Sequence, residues 1–180
     1  LKILLNMKKK NNLIIKFYDY IRIQICPFDI IFENIPKNSK ILEIGCGKGV
    51  LYRNFLINKN FSFFTGVDVD KNSISFLNYY NKDNVKFRNK GLEDILIEIN
   101  KFNCVLLVDV LHHIKKNFQE EAIRTIIDNL EDGSVFIYKD ISNKNKLKGL
   151  LNYLHDLILN KDFINYYKTS RIIEYLNQNN

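Results

Sequence analysis

Short apolar runs rich in β-branched and aromatic residues recur along the chain at 40–45, 61–68, 85–88, 102–109 and 134–140. Between them lie longer stretches with helical spacing of apolar positions, at 48–58, 71–80, 92–100 and 118–130. Strand and helix therefore alternate, and each helix is long enough to carry the chain back so that the next strand runs parallel to the last. The pattern predicts an α/β fold, an open, mostly parallel sheet flanked by helices. Gly133 closes the helix before the fifth strand, and Pro36 with Asn38 marks the turn into the first.

Ahead of the sheet, residues 12–35 read as helical material interrupted at Pro27, whose ring removes a backbone donor. After the fifth strand, 143–160 and 170–177 have helical patterning, and no sixth or seventh strand follows. The expected organisation is an N-terminal helical cap over 1–35, a nucleotide-binding core over 36–142 and a helical segment over 143–180.

With 46% hydrophobic residues in 180 and charges interrupting every apolar run, the composition is that of a soluble domain without a membrane span. The six residues before Met7 are too short and too poorly organised to read as a secretory leader, so secretion is not expected. Cys26, Cys46 and Cys104 lie beside or within apolar runs without metal-ligand spacing, which points to reduced core thiols and the cytoplasm. The net charge of +7 is spread along the chain rather than gathered in one block, so it does not by itself indicate a nucleic-acid partner.

The chemistry begins at "ILEIGCGKGV", residues 41–50. Gly45, Gly47 and Gly49 fall in the turn after the first strand, where missing side chains let a ligand approach backbone N–H groups. The second strand ends in "GVDVD", and Asp68 lies 23 residues after Gly45, close to the spacing at which an acid meets a ribose. Asp70 is better placed to cap the following helix. A dinucleotide loop would carry glycine at position 50, which is Val50, and its pyrophosphate would be repelled by Glu43. Glu43 suits instead an adenosine ligand with an amino group and a cationic centre.

"ILEIGCGKG" with "GVDVD" resembles the first two motifs of the class I S-adenosylmethionine-dependent methyltransferases, over roughly residues 36–140. The resemblance implies a Rossmann-like sheet, here apparently lacking the last two strands of the family's seven, and S-adenosylmethionine as cofactor. It implies that Glu43, Gly45, Cys46, Gly47 and Gly49 hold the methionine part, Asp68 the ribose, and that Val69 flanks the adenine. After the third strand the family's "GDxxD" turn reads "GLEDI", so Leu92 stands where an acid would be and Glu93 becomes the candidate beside the adenine amine.

"VLLVDVLHHI", residues 105–114, delivers Asp109, His112 and His113 to the sheet edge at which open α/β folds bind ligands. Asp109 joins the cofactor set, and His113 is the candidate base for an acceptor hydroxyl or amine, histidine being the residue type whose ordinary pKa lies near neutrality. "DVLHH" is similar to an "ExxEH" cation site of some quinone-precursor methyltransferases, but His112 replaces a carboxylate and the expectation is no metal. Lys139 and Asp140 end the fifth strand on alternating sides, which brings Asp140 into the catalytic set. Tyr18, Tyr20 and Arg22 are placed to close over the cofactor.

The expected activity is methyl transfer to a small or lipid-like, aromatic-compatible acceptor. Nucleic acid is disfavoured because the fourth strand lacks the Asn/Asp–Pro–Pro–aromatic tetrad of base-amine methyltransferases. The alternatives are a cofactor-binding module without turnover and, further off, a nicotinamide-dependent oxidoreductase. The fifth strand would form an apolar edge, so a second copy or another partner is expected to cover it.

Overall fold

A computed structural model describes residues 2–140 and Tyr175, with side chains from Leu13 onward. Five strands form one parallel sheet: β1 (Lys40–Ile44), β2 (Phe63–Asp68), β3 (Val85–Asn89), β4 (Cys104–Val108) and β5 (Val135–Lys139), in the order β3-β2-β1-β4-β5. The chain winds outward from β1 through β2 to β3, then returns to the other side of β1 for β4 and β5. The reversal lies between β1 and β4, the position at which open α/β sheets bind ligands beyond the carboxyl ends of their strands.

The helices are α1 (Lys2–Ile25), α2 (Phe28–Asn34), α3 (Lys71–Leu77), α4 (Leu92–Leu96) and α5 (Lys116–Asp128). Pro27 separates α1 from α2, as its missing N–H requires. Parallel strands are covered on both faces, which is why β4, Cys104–Val108, is buried at every position. Strand alternation divides the core in two. Ile41, Phe64, Cys104 and Leu106 pack with Phe28, Ile31 and Tyr52 on one face. Leu42, Ile44, Val67, Val105 and Leu107 pack with Ala122, Ile123 and Ile126 of α5 on the other.

Several boundaries differ from the sequence expectation. The helix after β1 contains a π-helical turn, Tyr52–Leu56, closed by the Ile57 N–H on the Tyr52 carbonyl at 2.9 Å. β2 begins at Phe63 rather than 61, because the Ser62 and Phe63 N–H groups both turn to the Ser39 carbonyl. The helices expected over 71–80 and 92–100 tighten into 3₁₀ turns at Asn78–Tyr80 and Ile99–Lys101. The helical stretches expected over 143–160 and 170–177 lie outside the described residues, except for Tyr175. Among the described residues, no helix is long and apolar enough to cross a membrane.

Candidate functional site

β1 runs into a loop in which Gly45, Gly47 and Gly49 have φ of +71°, +51° and +69°, a left-handed conformation that side chains resist. The loop is pinned to β2: the N–H groups of Gly45 and Cys46 donate to the Val67 carbonyl at 2.8 and 2.9 Å. The Gly47 N–H donates to Asp68 Oδ2 at 2.7 Å, and the Asp70 N–H to Asp68 Oδ1 at 2.8 Å. Asp68 therefore organises the loop as well as facing the cavity. Each carboxylate oxygen accepts one backbone bond there and retains a further lone-pair site for a ligand. Asp70 caps α3, accepting from the N–H groups of Asn72 and Ser73 and from the Ser73 hydroxyl. That hydroxyl, together with the backbone bonds, holds the Asp70 carboxyl below its usual range.

Beside the loop lies a cavity of about 840 Å³, at the carboxyl edge of β1, β2 and β4. This is in the upper part of the range for small-molecule sites, which run to roughly 1,000 Å³. Glu43, Gly45, Cys46, Gly47, Asp68, Val69, Asp109 and His113 all line it. Gly49 does not; it supports the loop from behind, where a Cβ would meet Leu77 Cδ2 at 2.7 Å. Gly47 is the opposite case, because its Cβ would have nothing within 4 Å. Bare backbone at Gly47 is thus room for a ligand.

Glu43 is 4% exposed, and its Oε2 has no hydrogen-bond partner. Burial, reinforced by the neighbouring Asp68 charge, pushes its carboxyl up to about 8, with Arg22 offsetting part of the effect. Cys46 is buried, and burial, with Glu43 and Asp68 nearby, raises its thiol well above 9. It serves the loop through its backbone.

At the end of β4, Asp109 adopts φ +55° and its N–H donates to the Lys139 carbonyl at 2.8 Å. Its carboxylate bridges two cations, Lys139 at the end of β5 and Arg22 of α1, the latter at 3.0 Å. A second buried pair secures the same helix: Asp19 takes both guanidinium nitrogens of Arg53, at 2.7 and 2.5 Å, and Asn54 at 3.2 Å. Of the three α1 residues expected to close over the cofactor, Tyr18 and Arg22 line the cavity, with Lys48 Nζ 4.7 Å from the Tyr18 ring centre. Tyr20 faces outward, 63% exposed.

Two candidates sit elsewhere than sequence placed them. Asp140 is paired with His112, accepting from its backbone N–H at 3.1 Å and bonding its ring Nδ1, and does not line the cavity. His112 is itself buried, whereas the ring of His113, 4.1 Å from that of His112, belongs to the cavity wall. Glu93 is exposed, and Leu92, Gly91 and Lys90 face the cavity in its stead. The adjacent carboxylate, Asp94, turns back to the Gly91 N–H at 3.1 Å. Among the described residues, no group of three His, Cys, Asp or Glu side chains is placed to hold a metal. The Asp19–Arg53 clamp is not among the sequence expectations, because its partners are 34 residues apart and on different elements.

Comparison with known proteins bears on the family and the fold. Residues 24–180 match the sequence family described as Methyltransferase domain. Over 72 residues the chain is 46% identical to Ribosomal RNA small subunit methyltransferase A of Mesomycoplasma hyopneumoniae (strain 232), covering 37% of this chain and 25% of that protein. The chain thus spans about a quarter of the length of the curated relatives it matches. Among solved structures it resembles the PH0226 protein of Pyrococcus horikoshii OT3, with TM-score 0.51 and 21% identity over 60% of this chain and 51% of that one. It also resembles coclaurine N-methyltransferase bound to N-methylheliamine and SAH, with TM-score 0.51 and 18% identity over 61% and 33%. At these identities the structural likeness concerns the fold. With a family match over most of its length and a Rossmann-like sheet whose switch point carries the glycine loop, the chain belongs to the family described as Methyltransferase domain.

Proposed function

We propose that the chain binds S-adenosylmethionine in the cavity beyond β1, β2 and β4 and directs its methyl group to a small or lipid-like acceptor. The observation that carries this reading is the pairing of a side-chain-free loop at Gly47 with a buried carboxyl at Glu43 whose Oε2 has no hydrogen-bond partner. A pyrophosphate would meet that carboxyl unfavourably, whereas a ligand with an ammonium group and a cationic centre complements it.

The residues fit the cofactor part by part. Gly45, Cys46 and Gly47 offer backbone to the methionine portion, Asp68 offers carboxylate oxygens to ribose hydroxyls, and Val69 and Leu92 offer apolar surface to the adenine. When bound, the sulfonium supplies an electrophilic methyl for in-line displacement. What remains for the chain is alignment, exclusion of water and management of one proton. Tyr18, Arg22 and Phe28 cover the cavity from the helical side. His113 is the cavity-wall group able to accept a proton from an acceptor hydroxyl or amine. Asp140 acts one residue removed, by fixing His112 and with it the turn that carries His113.

The test is calorimetric titration with S-adenosylmethionine, S-adenosylhomocysteine and NAD, repeated with Asp68→Ala. Binding of the adenosyl pair alone, lost in the variant, supports the reading; preferential binding of NAD overturns it. The stretch shared with a ribosomal RNA methyltransferase favours a second reading, in which the acceptor is RNA. Labelled-methyl transfer into RNA or into extracted small molecules and lipids separates the two. Binding without transfer to any fraction would favour a cofactor-binding module without turnover.

A further inference from the structure

Glu43 stands in a strand whose other buried positions are all apolar. Strand alternation sends its side chain, with that of Ile41, to the face covered by α1 and α2. The charged and titratable groups around it come from several elements: Asp68 from β2, Arg22 from α1 and Cys46 from the loop. Further round the same cavity are Asp109 and His113 after β4, Lys48 in the loop, Asp70 at the start of α3, and Lys90 after β3. The nearby cation is already committed, since Arg22 pairs with Asp109 at 3.0 Å. Asp68 accepts hydrogen bonds at both carboxylate oxygens, whereas Glu43 Oε2 has no partner. Burial first, and the neighbouring Asp68 charge second, therefore favour the protonated form of Glu43 in the free protein.

We infer that the cofactor's cationic end displaces this proton, so that binding is coupled to ionisation of Glu43 and release of one proton to solvent. The inference rests on the proposed cofactor and concerns what its arrival does to the site. The Glu43 O–H bond breaks heterolytically, the electron pair stays on the carboxylate, and the proton passes to the buffer. The cation and the new carboxylate then compensate one another in a site that water no longer reaches. A ligand without positive charge cannot drive this ionisation, so the coupling also selects for a cationic cofactor.

The experiment is calorimetry of the full chain with S-adenosylmethionine at pH 7 in buffers of different ionisation enthalpy, which yields the number of protons released. A carboxyl titrating near 8 that ionises fully on binding releases about 0.9 proton at pH 7. The expected result is a value near that for the native chain and near zero for Glu43→Gln. Infrared difference spectra of the native chain provide a measurement independent of the variant's folding: binding should remove the C=O stretch of a buried protonated carboxyl. Measurable binding with no proton release and no loss of that band overturns the inference alone. Absence of binding by the folded native chain overturns the cofactor reading, and this inference with it.

Discussion

Replacing Gly45 by alanine tests whether the loop is held by close packing beneath it. Gly45 has φ +71°, and a Cβ there would lie 2.3 Å from Val110 Cγ2 and 3.1 Å from Cγ1. Non-bonded carbons rest at about 3.5–4.0 Å, so the neighbour has to move by more than an ångström. Val110 is stiff at χ1 and follows Asp109, whose carboxylate is fixed by Arg22 and Lys139. The left-handed conformation costs about 1–2 kcal/mol for alanine and overpacking about 1–3 kcal/mol more. Gly45→Ala should therefore lose about 3 kcal/mol in all, a fall in Tm of roughly 10 °C for a chain of this size. Denaturant and thermal unfolding of Gly45→Ala, Val110→Ala and the double variant form a cycle. Removing both Val110 methyls should restore the overpacking part and leave only the backbone part. If the double variant is as unstable as the two single losses added together, the Val110 contact is not what requires glycine at 45.

Gly47→Ala should behave differently: its Cβ meets nothing within 4 Å, so stability should fall by only about 1 kcal/mol, from the positive φ. Its methyl intrudes on the cavity, and calorimetry should show S-adenosylhomocysteine affinity down by tenfold or more. Arg53→Met leaves Asp19, 6% exposed, without its bidentate partner, and should cost about 3–5 kcal/mol by chemical denaturation. Asp19→Leu combined with Arg53→Met should recover most of that loss. Glu43 gives a pH dependence of stability whose sign follows from its raised value. The folded state holds the proton up to about 8, while the unfolded chain releases it near 4.5, so this group's contribution to stability falls as pH rises from 4.5 to 8 and then levels. Comparative melts should show Glu43→Gln more stable than the native chain at pH 8, by roughly 3–5 kcal/mol, with the difference vanishing below pH 4.5.

The sheet was legible because parallel strands buried on both faces produce continuous apolar runs such as 104–108, and because glycine spacing and Asp68 fall at the ends of two of them. The π-helical turn at Tyr52–Leu56 was not, since its i→i+5 bond leaves no periodicity that distinguishes it from an ordinary helix over so short a stretch. Position in the turn points to Glu93, but its neighbour Asp94 takes the Gly91 N–H while Glu93 remains exposed. For Lys139 and Asp140, alternation at the end of β5 led to the expectation that one of them faces the ligand edge, yet neither lines the cavity. The pairing was decided by partners about thirty residues away in sequence: Lys139 meets Asp109 and Asp140 meets His112. Such choices depend on which opposite charge the fold brings close, which strand periodicity does not encode.

That limit also explains why the structure sharpens the reading of Glu43. An acid inside an apolar strand is visible in sequence, yet sequence alone leaves open a salt bridge across the sheet. The neighbouring buried carboxylates are each claimed: Asp19 by Arg53, Asp109 by Arg22 and Lys139, and Asp140 by His112. Those pairs tie α1 and the ends of β4 and β5 around the cavity, and they engage Arg22, the cation that acts on Glu43. Glu43 is left among the described residues as a buried carboxyl at this edge without an ion pair, beneath a loop whose Gly47 leaves open space. A buried carboxyl without an ion pair costs stability in its charged form, a cost relieved either by protonation or by a ligand that brings a compensating charge. The paired acids therefore account for how the site is built, and under the proposed function the remaining one is the group that would favour a cationic ligand.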